Sequence, residues 1–493
     1  MLNDPASQIT RRPLAFLVLL LALLLGSSTG QTVSQPTEPP KPVQGIGTTV
    51  QEQASQPTQK PAPAPEPPKP ITKAQARELF RSVDEILQFV SHDTGLPIKH
   101  KVKRKLITRE KVERYVEKRM KDDKDTQRLE RSQLVLQKFG MIPHNYDLHS
   151  EFLKLLSEQV AAFYDSKTKT VNLLDWVQPE LQRPVLAHEL THALQDQAID
   201  LEKWGLAGGS NDGPLPDQQE QVVEEAQAAR QNVTEGQAMV AMLDYVLAPA
   251  GVNILTAPDA VNAMRAAMRD GKDAPVMAAS PIFLQESLMM PYTFGLDFVR
   301  EALAKKGKTA AFAGLLEHPP IDTLQVMVPS NYLAGMAVEP PTIPDLDKLI
   351  APDYERYDFG GMGAFDIYLI AKQYAPGTDA EQYYSHWRGG YYLAVRAKSA
   401  PKDQIALFYF SRWDSPKAAQ AFAKLYGDYV PNRYKGANRL PASCPISQEA
   451  PDCSVRQWDT AEGTVLMDLR GPDLLIMEGL NDPTMQRIRA ALF

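Results

Sequence analysis

Apolar positions recur at helical spacing along most of this chain and at alternate-residue spacing in only a few short stretches. Helices are predicted over 73–92, 108–119 and 128–139, followed by two short strands around a polar turn within 158–174. Between 185 and 197, Val185, Leu186, Leu190, Ala193 and Leu194 form one apolar helical stripe, and Pro184 suits a first turn. A Gly/Pro/Asp-rich loop, 208–217, leads into a long helical stretch at 218–247. Helices follow at 258–269 and 282–305, the second with a bend at Pro291. Met239, Met242, Met264, Met268, Met289 and Met290 fall in these segments and read as core filling. From about 360 the pattern changes. Strands are predicted at 391–395, 405–410, 464–469 and 474–478, with a helix opened by Ser415 and a closing helix at 482–492. The fold class is therefore α+β: a mainly helical unit over 71–345 with a small hairpin sheet before the 185–197 helix, then a smaller α+β module over 360–493. A ferredoxin-like sandwich is one arrangement for that module.

The N-terminus changes the compartment. Arg11 and Arg12 precede an apolar run at 14–25 that ends in Gly26, Ser27, Ser28, Thr29 and Gly30, which reads as a secretory signal over 1–30. The run is short for a membrane span, yet if retained it would tether the chain to a membrane. Residues 31–70 are rich in Pro and Gln and cannot build a core, so they read as a linker. The expected location is periplasmic or extracellular. In such a compartment the two cysteines, Cys444 and Cys453, are expected to pair as a disulfide. The net charge of -7 and the lack of any nucleic-acid module argue against a nucleic-acid partner. The basic run 99–105 then reads as a solvated surface or a contact with acidic residues elsewhere. His386 and Trp387 read as structural.

The chemistry lies in His188-Glu189-Leu190-Thr191-His192, an H-E-x-x-H run on the predicted 185–197 helix. Two histidines four apart sit one above the other on a helix face, so both imidazoles can reach one zinc ion. The glutamate beside the first histidine can take a proton from the attacking water. The motif with Asp196, four residues after His192, resembles the zinc helix of thermolysin-type metallopeptidases. The extension Ala193-Leu194-Gln195-Asp196-Gln197 is similar to a group of secreted bacterial proteins described only as candidate zinc metallopeptidases, over most of 140–340.

This resemblance implies a gluzincin, in which the third zinc ligand is a glutamate on a following helix. Glu220, Glu224, Glu225 and Glu235 are the candidates on 218–247. The first three sit in a polar half that reads as a solvated face. Glu235 is flanked by small and apolar residues, so its carboxylate would be buried and would need a partner such as a metal. It is the favoured ligand, with Glu224 second. Gly236 suggests close packing against the zinc helix. Position 239 is Met where thermolysin-type enzymes carry an aspartate that buttresses a zinc-bound histidine. That role falls to Asp196 or Asp244. For the oxyanion of hydrolysis the candidates are His318, Tyr292 and Tyr332. The hairpin in 158–174 is placed to hold an extended peptide or protein substrate at its edge. The reading is a secreted zinc metallopeptidase with catalytic Glu189. The alternative is a zincin-fold binding protein of the cell envelope without hydrolytic activity.

Overall fold

Two helices with fully buried central segments organise the helical unit of the computed structural model, which describes residues 70–112, 114, 123–159, 162–205, 217–269, 274–398, 404–440 and 454–493. The N-terminal signal and linker segments, Cys444 and Cys453 lie outside the described residues. The motif helix spans Pro179–Ile199, with Pro179 rather than Pro184 in its first turn and Pro184 within it. From Val185 to Asp196 every residue is buried, so the predicted single stripe is a fully enclosed cylinder. The long helix, Asp217–Leu247, is likewise buried without a break from Asn232 to Asp244. Both pack on the first helix, Lys73–Thr94, through a core that includes Leu79, Val83, Leu186, Leu190 and Val240. Among the described residues no helix is long and apolar enough to cross a membrane.

The bend expected at Pro291 is a π-helical turn, Pro291–Gly295, between helices Ile282–Met290 and Leu296–Lys306. Proline lacks the amide proton a regular helix needs, and a π turn is one way to absorb that defect. The turn presses directly on the long helix. A Cβ on Gly236 would stand 2.2 Å from the Gly295 carbonyl oxygen, and one on Gly295 would stand 2.5 Å from that of Asn232. Gly236 therefore serves an approach to this turn, not to the zinc helix as the sequence suggests.

A three-stranded sheet covers the motif helix. Its strands are β1 (Lys103–Ile107), β2 (Phe163–Asp165) and β3 (Thr170–Leu174), in the order β1-β3-β2, with β1 parallel and β2 antiparallel to β3. The basic run supplies β1. Lys103 and Lys105 point outward while Arg104 turns back to Asp84 at 2.9 Å. Lysines on an edge strand keep other chains from pairing with it. The sheet is held along one stripe of the motif helix at Gln182, Glu189 and Asp196, each two helical turns from the next. Gln182 binds the end of β3 through both its amide groups, accepting from Leu174 N at 3.0 Å and donating to Leu174 O at 2.9 Å.

The C-terminal unit departs from the ferredoxin-like expectation. Its strands are β4 (Tyr354–Gly361), β5 (Trp387–Ala397), β6 (Ala406–Trp413), β7 (Asn438–Arg439), β8 (Ser454–Thr460), β9 (Gly463–Arg470) and β10 (Asp473–Glu478). They form one antiparallel sheet of seven strands in the order β4-β5-β6-β10-β9-β8-β7. A ferredoxin-like sheet has one helical layer, whereas this sheet is covered on both faces. Leu407, Tyr409, Leu474 and Ile476 share a core with helices Ala364–Tyr374 and Pro416–Arg433. The alternate residues Phe408, Phe410, Leu475 and Met477 share another with helices Leu346–Ile350 and Asp482–Leu492. A strand buried on both faces reads as a continuous apolar run, which is the pattern of β6.

The two units interlock. Val135, Phe139 and Met141, from helix Asp123–Lys138 and the residues after it, belong to the core of the seven-stranded sheet. Arg433 donates to the Lys138 carbonyl at 2.7 Å and forms a buried ion pair with Glu478 at 2.7 Å. The polar first half of the long helix, predicted as a solvated face, lies against the sheet unit. Gln221 accepts from the Gly361 amide, and Glu225 accepts from Thr323 N at 3.0 Å and Thr323 Oγ1 at 2.7 Å. Burial pushes the Glu225 carboxyl up to about 7 and the neighbouring Asp366 carboxyl up to about 6.

Two predictions follow from this packing. Gly236→Ala should lower stability by about 2 kcal/mol or more, because main-chain atoms must give way. Helix propensity alone would favour Ala by about 1 kcal/mol. Thermal unfolding of the purified chain reads the sign. Second, both raised carboxyls bind protons in the folded chain that the unfolded chain has already released. Their contribution is present in full at low pH and is lost as pH rises through about 6 to 7. Glu225→Gln should therefore flatten the fall in Tm between about pH 5 and about pH 8 and stabilise the chain at the upper end by about 1 kcal/mol, allowing for partial solvent contact.

Candidate metal centre

Helical spacing and burial assemble the centre. His188 and His192, one turn apart on the motif helix, face Glu235 at the buried crossing with the long helix. His188 Nε2 lies 3.0 Å from His192 Nε2 and 3.1 Å from Glu235 Oε2, and His192 Nε2 lies 3.5 Å from the same oxygen. Tetrahedral zinc with bonds of about 2.05 Å spaces its ligand atoms about 3.3 Å apart. Two imidazole nitrogens and one carboxylate oxygen at these separations fit zinc in size, donor type and charge. Among the described residues this is the group of His, Cys, Asp or Glu that converges closely enough to hold a metal ion.

Glu189 stands on the adjoining stripe of the same helix. Its Oε2 accepts from the Tyr164 amide of β2 at 2.6 Å. Its Oε1 is buried and has no hydrogen-bond partner among the described residues. A buried carboxylate oxygen without a donor is costly, so this atom marks where a further polar species belongs. Burial pushes the Glu189 carboxyl up to about 8, against the pull of His192 and of the Tyr164 amide. Burial also pushes the His188 imidazole down to about 4. His192 moves the other way, to about 9: burial opposes its charge, but the Glu235 carboxylate beside it prevails. Glu235 is itself held well below the ordinary carboxylate range, since the two imidazoles outweigh its burial.

The remaining expected residues are distributed unevenly. Tyr292, on the π turn, is buried with its ring 6.3 Å from that of His188. His318 is exposed, and its carbonyl accepts a bond from the Tyr332 hydroxyl. Asp196 does not touch a ligand histidine. It accepts from the Tyr164 hydroxyl at 2.7 Å, from Lys169 Nζ at 2.7 Å and from Leu201 N at 3.1 Å, and so locks the hairpin onto the motif helix. The reason is angular: Asp196 shares a helix stripe with Glu189, whereas the stripe of His188 and His192 continues to Gln195. Asp244 caps a distant loop by accepting from Ile254 N at 2.6 Å, and Glu224 is half-buried at the sheet interface.

Four residues that the sequence reading passes over contribute here: Tyr164, Lys169, Gln195 and Gln237. His192 Nδ1 lies 2.9 Å from Gln195 Oε1. Gln195 and Gln237 are fully buried, and a long amide among small and apolar neighbours was the available signal.

No family model, curated protein or solved structure matches this chain.

Because Asp196 holds the hairpin rather than the metal ligands, Asp196→Asn should leave metal binding within about threefold of wild type, well short of the 10–100-fold loss expected of a residue that orients a ligand. The same substitution should speed amide exchange in β2 and β3. Zinc titration and hydrogen exchange on one preparation check both halves.

Proposed function

We propose that this chain is a zinc-dependent metallopeptidase of gluzincin type. The observation that carries the reading is the convergence of His188, His192 and Glu235 beside a glutamate with one unpartnered buried oxygen. When bound, zinc supplies Lewis-acid polarisation and makes water a competent nucleophile near neutral pH. His188, His192 and Glu235 would hold the ion. Glu189 takes the proton from the attacking water as oxygen adds to the peptide carbonyl carbon. It then delivers that proton to the nitrogen as the C–N bond breaks. The Tyr164 amide keeps one Glu189 oxygen fixed, so that the other does the proton transfer. Tyr292, beside His188, is the candidate donor to the oxyanion. In the three-stranded sheet, β2 lies at an edge, and an extended peptide can align there by main-chain hydrogen bonds. Export through the N-terminal segment, with a tether if that segment is retained, completes the proposal.

Zinc content of the purified full chain tests it. Wild type should hold about one zinc per chain, the stoichiometry of a mononuclear site. His188→Ala and Glu235→Ala should lose it, and Glu224→Ala should keep it. On a peptide library, Glu189→Gln should retain zinc and lose about 10²–10⁴-fold in hydrolysis. Zinc binding without cleavage of any peptide by wild type would favour the binding-protein alternative. Absence of zinc after reconstitution would end the metallopeptidase reading.

A further inference from the structure

One group of buried polar side chains at the crossing is used by neither the metal ligands nor the proton transfer. Gln237 Nε2 donates to two consecutive carbonyls, Ala311 O at 2.8 Å and Phe312 O at 2.9 Å. Both belong to a second π-helical turn, Ala310–Gly314. A π turn interrupts the regular ladder of helical hydrogen bonds and turns carbonyls toward other donors. Gln237 Oε1 in turn accepts from Gln195 Nε2 at 2.9 Å, and the same Nε2 donates to Thr234 O at 3.0 Å. Gln195 Oε1 then faces His192 Nδ1 at 2.9 Å.

The direction of this chain of bonds is forced. A backbone carbonyl can only accept, so the amide groups facing Ala311, Phe312 and Thr234 must be the NH₂ ends. That leaves Gln237 Oε1 and Gln195 Oε1 as acceptors. His192 must then carry a proton on Nδ1, which leaves Nε2 as the nitrogen that a metal ion beside Glu235 and His188 would bind. A neutral imidazole in the opposite tautomer would bury two oxygen-facing lone pairs against each other and block the metal position. His188, by contrast, has no hydrogen-bond partner at Nδ1 among the described residues. Only one of the two imidazoles is thus oriented from behind.

We propose that Gln195 and Gln237 form a one-way relay from the Ala310–Gly314 turn to His192, and that it fixes the metal-binding tautomer and ring orientation of that histidine. The inference rests on the metal reading above and assigns positioning residues to it. Neither amide touches the ligand position. The relay does the work that a carboxylate on the long helix would otherwise do, since position 239, one turn after Glu235, is a buried methionine.

The test is zinc affinity of the full chain, measured by competition with a chromophoric chelator. The variants are Gln195→Leu, Gln237→Leu, the double variant and Gln195→Glu. Wild-type binding of about one zinc addresses the metal reading itself, so failure there is separate from failure of the relay. If the relay holds, Gln195→Leu weakens zinc about 10–100-fold. Gln237→Leu weakens it too, although it touches no ligand. The double variant is no weaker than Gln195→Leu alone, because two links of one chain do not add. Gln195→Glu keeps an acceptor opposite Nδ1 but loses the bonds donated to Gln237 and Thr234, so it weakens zinc less than Gln195→Leu does. A nitrogen NMR spectrum of the zinc-loaded chain supplies a second readout. The His192 Nδ1 proton should be visible and slow to exchange in wild type and lost in Gln195→Leu. Wild-type affinity in Gln195→Leu, or equal loss in Gln195→Leu and Gln195→Glu, would overturn the proposal. Should Gln195→Leu fail to fold, unchanged affinity in Gln237→Leu overturns it equally.

Discussion

Everything at the centre of this molecule depends on the exclusion of water from the crossing of two helices. The motif helix and the long helix are buried around their whole circumference where they meet, yet they carry His188, Glu189, His192, Gln195, Glu235 and Gln237 there. Polar groups in such a place cannot turn to solvent, and leaving each unmet costs about 1–3 kcal/mol. The solution is a division by helix stripe. One stripe of the motif helix meets the sheet through Gln182, Glu189 and Asp196, and the next meets the long helix through His188, His192 and Gln195. Two atoms stay unmatched among these groups, Glu189 Oε1 and His188 Nδ1. Oε1 is the atom that the chemistry proposed here requires to be available.

The surrounding architecture serves that crossing. The hairpin presses on one stripe, the first helix closes another side, and the two π turns reach in from the helices beyond. The long helix also extends over about eight and a half turns. Its polar half is bonded to the seven-stranded unit through Gln221, while Glu235 belongs to the candidate metal centre. The C-terminal unit therefore has a direct structural claim on the position of one candidate ligand.

Much of this was legible in the sequence, for reasons that can be traced. The helices at Pro258–Arg269 and Asp482–Leu492 begin at Pro or Asp-Pro and carry clear periodicity, and their ends are found where the pattern puts them. The hairpin and the pairing of His188 with His192 followed from spacing, the resemblance implied a glutamate on the next helix, and the apolar context of Glu235 singled it out among the candidates. What escaped did so because its cause is tertiary. β1 is mostly Lys and Arg, a composition no strand rule favours, and it exists because β3 offers it an edge. β4 and β8 are polar strands with little apolar alternation, β4 pairs with a strand beyond two intervening helices, and without them the sheet reads as a smaller one. Asp196 has the right offset from His192 for a supporting role, but helix geometry turns it toward Tyr164 and Lys169. The relay through Gln195 and Gln237 needs the carbonyls of a π turn more than seventy positions away, which no local pattern announces.

The contact between Gly236 and Gly295 sets a limit on how this sequence can vary. At many crowded glycines the obstacle is another side chain. At Gly360 it is the Tyr392 ring, which a smaller residue could replace to make room. At Gly236 and Gly295 the nearest obstacles are main-chain atoms, the carbonyls of Gly295 and Asn232. No exchange of side chains can move those away. A descendant of this sequence could therefore drift widely on its surface and even repack its core. As long as it keeps Tyr292 beside His188 by this crossing, it has no second-site route to a larger residue at either position.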